Sequence, residues 1–171
     1  IPTGKVNRGH ALLFGTVLSI VSVVGLYYFS NLTSAILLST TIAFYVFVYT
    51  IWLKRKTPQN IVIGGASGAL PPVIGWTIAT NSLTLEPITF FLIIFFWTPS
   101  HFWALSLYKA DDYQKAKIPM LPITNGIEET KKNIFVYSLI MLPVVILPYY
   151  IGFAGETFLI VSLLLTFYYN Y

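Results

Sequence analysis

Six long apolar runs dominate this sequence, at approximately residues 10–29, 33–53, 61–80, 87–108, 133–152 and 156–171. Each comes near the roughly 20 residues that an α-helix needs to cross the hydrocarbon core of a bilayer. Inside lipid a backbone must satisfy its own hydrogen bonds, so runs of this kind fold as helices. The expectation is an all-α, polytopic transmembrane helical bundle, with six spans in a single domain over residues 1–171. Short connectors at Ser30 to Leu32, Asn81 to Glu86 and Gly152 to Gly155 make neighbouring spans antiparallel. Composition points the same way: only 9% of residues are charged, against about a quarter in soluble domains, which argues against a water-soluble fold. The absence of cysteine excludes a disulfide framework and any thiolate metal site.

The cations are confined to one side. Lys5 and Arg8 precede the first span, Lys54, Arg55 and Lys56 follow the second, and Lys109, Lys115, Lys117, Lys131 and Lys132 follow the fourth. With alternating spans, all ten fall on one face, which the positive-inside rule assigns to the cytoplasm. The net charge of +4 therefore reports topology, and no nucleic-acid partner is expected. Asp111, Asp112, Glu128 and Glu129 share this face, while Glu86 and Glu156 lie opposite. Polar chemistry is thus expected at the cytoplasmic rim of a cell-membrane protein. The chain opens on Ile1-Pro2-Thr3-Gly4 without a start methionine and stops within an apolar run at Tyr171, so further spans are expected at both ends. No signal-peptide pattern and no internal repeat is evident.

The third span opens with Thr57-Pro58-Gln59-Asn60 and continues through Gly64, Gly65, Gly68 and Ala69 to Pro71-Pro72. Gly64 with Gly68, and Gly65 with Ala69, have the small-xxx-small spacing that brings helix backbones close in lipid. The two prolines should bend or break the span near mid-membrane, where irregular backbone must face protein or a cavity. Asn60, at the membrane boundary, reads either as a helix cap or as a ligand to a polar group. In the fourth span His101 lies about 10 Å inside the cytoplasmic end; it is either a packing histidine or functional, as ionisable residues at such depth commonly are. If that helix runs on, His101, Leu105, Tyr108 and Asp112 share one face. That geometry favours Asp112 over Asp111 as the inward carboxylate, with Tyr108 between it and His101. Lys54, Arg55 and Lys56 are either topology determinants or partners of an anion. Carboxylates bind Mg²⁺ together with substrate phosphates, while Lys and Arg neutralise phosphate charge, so a diphosphate site at this rim is plausible. No Walker loop, serine triad or multi-histidine cluster is present.

The segments Trp52-Leu53-Lys54-Arg55, Thr57 to Gly65, Gly68 to Trp76, Trp97-Thr98-Pro99, His101 to Leu105, Asp112-Tyr113 and Pro119 to Pro122 together resemble the haem O synthases (protohaem farnesyltransferases), within the intramembrane aromatic prenyltransferases. Ile1 to Gly4 is similar to the end of that family's first aspartate-rich loop, and the similarity weakens after Gly126. The resemblance implies a bundle of about nine helices, of which this chain supplies roughly the third to the eighth. It implies Mg²⁺-dependent transfer of a farnesyl group from farnesyl diphosphate to a vinyl group of haem B, giving haem O for terminal oxidases. Haem B is then a substrate rather than a cofactor.

By the same resemblance Asp112, with Asp111, helps hold Mg²⁺, and Lys54 and Arg55 draw off diphosphate charge. Asn60, Thr57 and His101 match polar positions of the family, and with Tyr108, which the helical spacing puts beside His101, they are the expected substrate contacts. Lys117 stands where many members of the family carry glycine. The first acidic motif is absent from these residues, so the fragment alone is expected to be inactive. Association with haem A synthase or terminal oxidase assembly is a further expectation. Alternatives are prenylation of a quinone precursor or chlorophyll-type ring, or a non-catalytic haem-binding or transport subunit; the His101 region and Thr57 to Asn60 favour haem.

Overall fold

A computed structural model describes residues 4–170. The expectation attached to Ile1-Pro2-Thr3-Gly4 falls mostly on residues 1–3, outside the described part. The chain is a helical bundle, with no strand among the described residues. In order the elements are α1 (Arg8–Phe29), α2 (Leu32–Ala43) continued by a π-helical stretch π1 (Phe44–Leu53), α3 (Asn60–Ala69), α4 (Pro71–Thr80), α5 (Glu86–Tyr108), α6 (Ala110–Lys115), α7 (Leu121–Thr124), α8 (Ile127–Tyr150) and α9 (Glu156–Asn170).

Five of the six expected spans are long and apolar enough to cross a membrane: α1, α2 with π1, α3 with α4, α5, and α8. The sixth run does form a helix. Its 15 described residues reach about 22 Å at 1.5 Å each, short of the roughly 30 Å hydrocarbon core. The chain is thus a multi-pass membrane protein. α5 makes the most extensive contacts, packing against α8, α3 and α4, and α9 packs on α8.

Local sequence explains the breaks. Asn7 caps α1, its side chain accepting from the Gly9 amide at 2.7 Å. Asn31 caps α2 by accepting from Ser34 N at 2.8 Å and donates back across the bundle to Thr77 O at 2.7 Å. Ser34 and Thr77 hydroxyls meet at 2.8 Å in a fully buried contact. This polar clamp ties α2 to α4, and in lipid such interhelical bonds are worth roughly 0.6–2 kcal/mol. The Pro71-Pro72 pair breaks the third span as expected: α3 ends at Ala69 and α4 restarts with proline in its first turn. Proline tolerates that position because the amide it lacks has no helical partner there anyway.

One expectation is overturned. The helix bearing His101 does not run on to the aspartates, because α5 ends at Tyr108 and Lys109 (φ −113°, ψ 20°) turns the chain into α6. The break has an electrostatic logic. Continued, α5 would hold Asp111 and Asp112 at its negative C-terminal end, whereas the new helix receives them in its first turn. Lys109 O then accepts from both Asp112 N and Tyr113 N at 3.1 Å.

Lys117 closes α6 with φ 54°, in the left-handed region. This is the conformation glycine adopts without strain, which accounts for the glycine that the family resemblance places there. Lys117→Gly is expected to leave the loop geometry unchanged and to raise stability by up to about 1 kcal/mol. Thermal unfolding in detergent checks this, and a lowered transition would contradict it.

Candidate functional site

A cavity of about 830 Å³ opens at the end of the bundle that carries Lys54, lined from α1, α2, π1, α3, α5, α6 and the α6–α7 connection. Lys54, Asn60 and Tyr113 line it near the helix ends that carry the cations; Ser67, Gly68 and Ile94 line it further along α3 and α5. The volume falls in the upper part of the roughly 300–1,000 Å³ of small-molecule sites.

Glycine makes room for it. A Cβ on Gly64 would come within 3.0 Å of three Tyr49 ring carbons, and one on Gly65 would lie 3.1 Å from Thr98 Cγ2. Gly68, one turn on, would meet nothing within 4 Å. The small-residue stripe therefore serves both readings of the sequence: Gly64 and Gly65 pack tightly, and Gly68 opens onto the cavity.

Asn60 is fully buried. Its Nδ2 donates to Thr57 O at 2.6 Å, and its backbone N donates to the same oxygen at 3.2 Å. That geometry fixes which side-chain atom is which, since only nitrogen can donate to a carbonyl. The remaining atom, Oδ1, is a buried acceptor with no partner. Buried acceptors of this kind cost roughly 1–3 kcal/mol unless something fills them. Thr57 is half-buried and its Oγ1 accepts from Gln59 N at 3.2 Å.

Lys54 is half-buried, with its ammonium 5.8 Å from the centroid of the Tyr49 ring, whereas Arg55 and Lys56 are exposed. Asp111 and Asp112 are exposed, and Asp112 Oδ2 lies 3.9 Å from Lys109 Nζ. Tyr113, next in sequence, does face the cavity. His101 does not line it; the imidazole stacks on Trp97 at 4.3 Å and meets Phe102 edge-on at 5.7 Å, and those two rings form part of the wall. Tyr108, 88% exposed, is not part of the wall either, so the structure does not join it to His101 and Asp112. Among the described residues no group of three His, Asp or Glu side chains gathers to hold a metal.

The aromatic wall was not foreseen from sequence. Tyr45 and Tyr49 pack at 5.3 Å, and with Trp97 and Tyr113 they face the cavity. The one available signal was their four-residue spacing, which any lipid-facing helix can show.

A multi-pass helical membrane protein with an aromatic-walled cavity that carries one lysine, Lys54, at its end suits an amphiphilic substrate with an anionic head. The chain belongs to the UbiA prenyltransferase family, which it matches over residues 1–171. It is 78% identical to a protoheme IX farnesyltransferase of Pelagibacter ubique over 99% of this chain and 56% of that protein. A protein of the same name from Parvibaculum lavamentivorans is 52% identical over 93% of this chain and 50% of its own length. Another, from Ehrlichia ruminantium, is 57% identical over 86% and 50%. The chain thus spans about half the length of the curated relatives it matches. No solved structure matches it.

Proposed function

We propose that the protein to which this chain belongs transfers a farnesyl group from farnesyl diphosphate to a vinyl group of haem B, giving haem O for terminal oxidases. The observation that carries this reading is the cavity itself: Lys54 at its end, the buried and partnerless Oδ1 of Asn60 in its wall, and apolar and aromatic side chains around the rest. The relatives' shared name supports the choice of haem as acceptor.

In this reaction the allylic C–O bond breaks and the diphosphate leaves with the electron pair. The vinyl π electrons of haem B form the new C–C bond to the farnesyl cation. Water then adds to the cation left beside the ring and loses a proton, giving the hydroxyethylfarnesyl group. Lys54, with Arg55 beside it, offsets the negative charge that develops as the bond breaks, the kind of stabilisation that is often the largest catalytic term. The aromatic walls keep water from the allylic cation until the vinyl group has captured it.

The donor set suits Mg²⁺, a hard cation that takes oxygen ligands, commonly one or two carboxylates plus substrate phosphates. Asp112 with Asp111 would hold it, and Asn60 Oδ1 is a buried oxygen in the wall that Tyr113 shares. When bound, the ion neutralises diphosphate charge. Because the family's first acidic motif is not among these residues, residues 1–171 alone are expected to be inactive. The active rim lies on the cytoplasmic face of the cell membrane, given that every Lys and Arg falls on that side. Haem handed on from there suits association with haem A synthase or oxidase assembly.

The test is mass spectrometry of haems after incubating a full-length chain with haem B, farnesyl diphosphate and Mg²⁺, with a metal-free control. A metal-dependent hydroxyethylfarnesyl product supports the reading. Haem B returned unchanged overturns it in favour of a different prenyl acceptor or donor.

A further inference from the structure

We infer that Tyr49 is the positioning residue for Lys54: π-helical winding and the missing side chain of Gly64 together seat its ring beneath the ammonium at the cavity mouth. The inference rests on reading that mouth as the diphosphate site.

The geometry begins with the backbone. Lys54 N donates to Tyr49 O at 2.8 Å, a bond spanning five residues instead of four. In an α-helix, residues five apart point about 140° away from each other around the axis. In π1 the wider turn brings residue 54 back over residue 49, which is how the ammonium comes within 5.8 Å of the ring centroid. Single π-helical turns recur at functional sites for this reason: they re-aim side chains.

The second element is space. Tyr49 lies against α3 where Gly64 has no side chain, and even a methyl group there would overlap the ring. Tyr45 packs against the same ring at 5.3 Å, tilted by 38°. The ring is thus held by contacts with a glycine and a second aromatic while the ammonium lies over it.

The third is the nature of lysine, a compact point charge on a flexible four-carbon stem. Unaided, Lys54 would share its time between the cavity mouth and bulk water. A ring face within about 6 Å attracts the ammonium through its quadrupole. That attraction holds the charge where a diphosphate would arrive, without neutralising it as a carboxylate partner would.

The test uses a full-length chain in nanodiscs and reads inhibition by inorganic pyrophosphate together with KM for farnesyl diphosphate and for haem B. Lys54→Met is expected to weaken pyrophosphate strongly. Tyr49→Leu is expected to weaken it about fivefold, the factor a cation–π contact of this kind carries, and to raise KM for farnesyl diphosphate by more than KM for haem B. Tyr49→Phe should restore wild-type values, and Gly64→Ala should reproduce Tyr49→Leu from a different helix. In the Lys54→Met background Tyr49→Leu should add nothing, as expected for residues acting through one contact. A pentafluorinated phenylalanine at position 49 keeps the shape but reverses the charge of the ring face, so it covers the case in which Tyr49→Leu does not fold; it should match the Leu variant.

Equal losses from Tyr49→Leu in both backgrounds, or wild-type behaviour of the fluorinated ring, would overturn the inference. Lys54→Met with unchanged pyrophosphate inhibition would instead overturn the diphosphate reading on which it rests.

Discussion

Asp112→Ala is expected to lower Mg²⁺-dependent haem farnesylation by about 10²–10³-fold, the scale on which loss of one group stabilising developing charge is felt, with the fold retained. The structure separates those two effects. Asp112 meets Lys109 at 3.9 Å, with both side chains more than half exposed. Exposed pairs of this sort contribute roughly 0–1 kcal/mol, so their loss cannot unfold a bundle held together by α3, α5 and α8. A large fall in turnover with an unchanged thermal transition therefore reports chemistry. Asp112→Asn should fall nearly as far, because the amide keeps the shape but not the charge that a divalent cation requires. Asp112→Glu should recover part of the loss as Mg²⁺ is raised. Turnover of Asp112→Ala close to wild type would move the metal role to Asp111 or to residues beyond this chain.

The bundle was legible in sequence wherever physics acts along the chain. Apolar runs located the five helices long enough to span and the shorter α9, and Pro71-Pro72 marked the break between α3 and α4. Features that depend on the third dimension were not legible. Uniform helical periodicity joined His101 to Asp112 through Tyr108, but Lys109 ends that periodicity two residues before the acidic pair. Nothing in Phe44 to Leu53 advertises π-helical winding, because the apolar pattern is the same for either hydrogen-bond span. Tyr49 consequently went unnoticed, and Tyr113 entered only as part of the Asp112-Tyr113 motif, although both line the cavity. Lys54 and Asn60, read from their types and position at the rim, do lie in its wall; Arg55 is exposed beside it.

Asn60→Leu is expected to reduce turnover at least about 100-fold, on the scale of one lost polar contact in an active site, while leaving thermal stability unchanged or slightly higher. The sequence alone left two roles for this residue, cap or ligand, and the structure divides them between two atoms of one side chain. Nδ2 serves the fold by bonding Thr57 O, the same carbonyl that already accepts from the Asn60 amide. Its removal thus leaves no buried acceptor empty and costs about 1 kcal/mol. Oδ1 serves nothing in the fold, being buried without a partner at a desolvation cost of roughly 1–3 kcal/mol. Leucine, similar in size, removes both terms at once, and the second is at least as large as the first. A residue retained for stability would behave the other way, with leucine lowering the transition and activity falling in proportion. An acceptor held empty inside a cavity wall is explicable if its partner arrives with the substrate, and a free carbonyl oxygen can meet only a cation or a hydrogen-bond donor. The diphosphate oxygens themselves are excluded as its direct partner. Asn60→Asp, which keeps an oxygen and adds charge, is therefore expected to retain more activity at high Mg²⁺ than Asn60→Leu. The reverse order would assign Oδ1 to a neutral donor on the acceptor substrate.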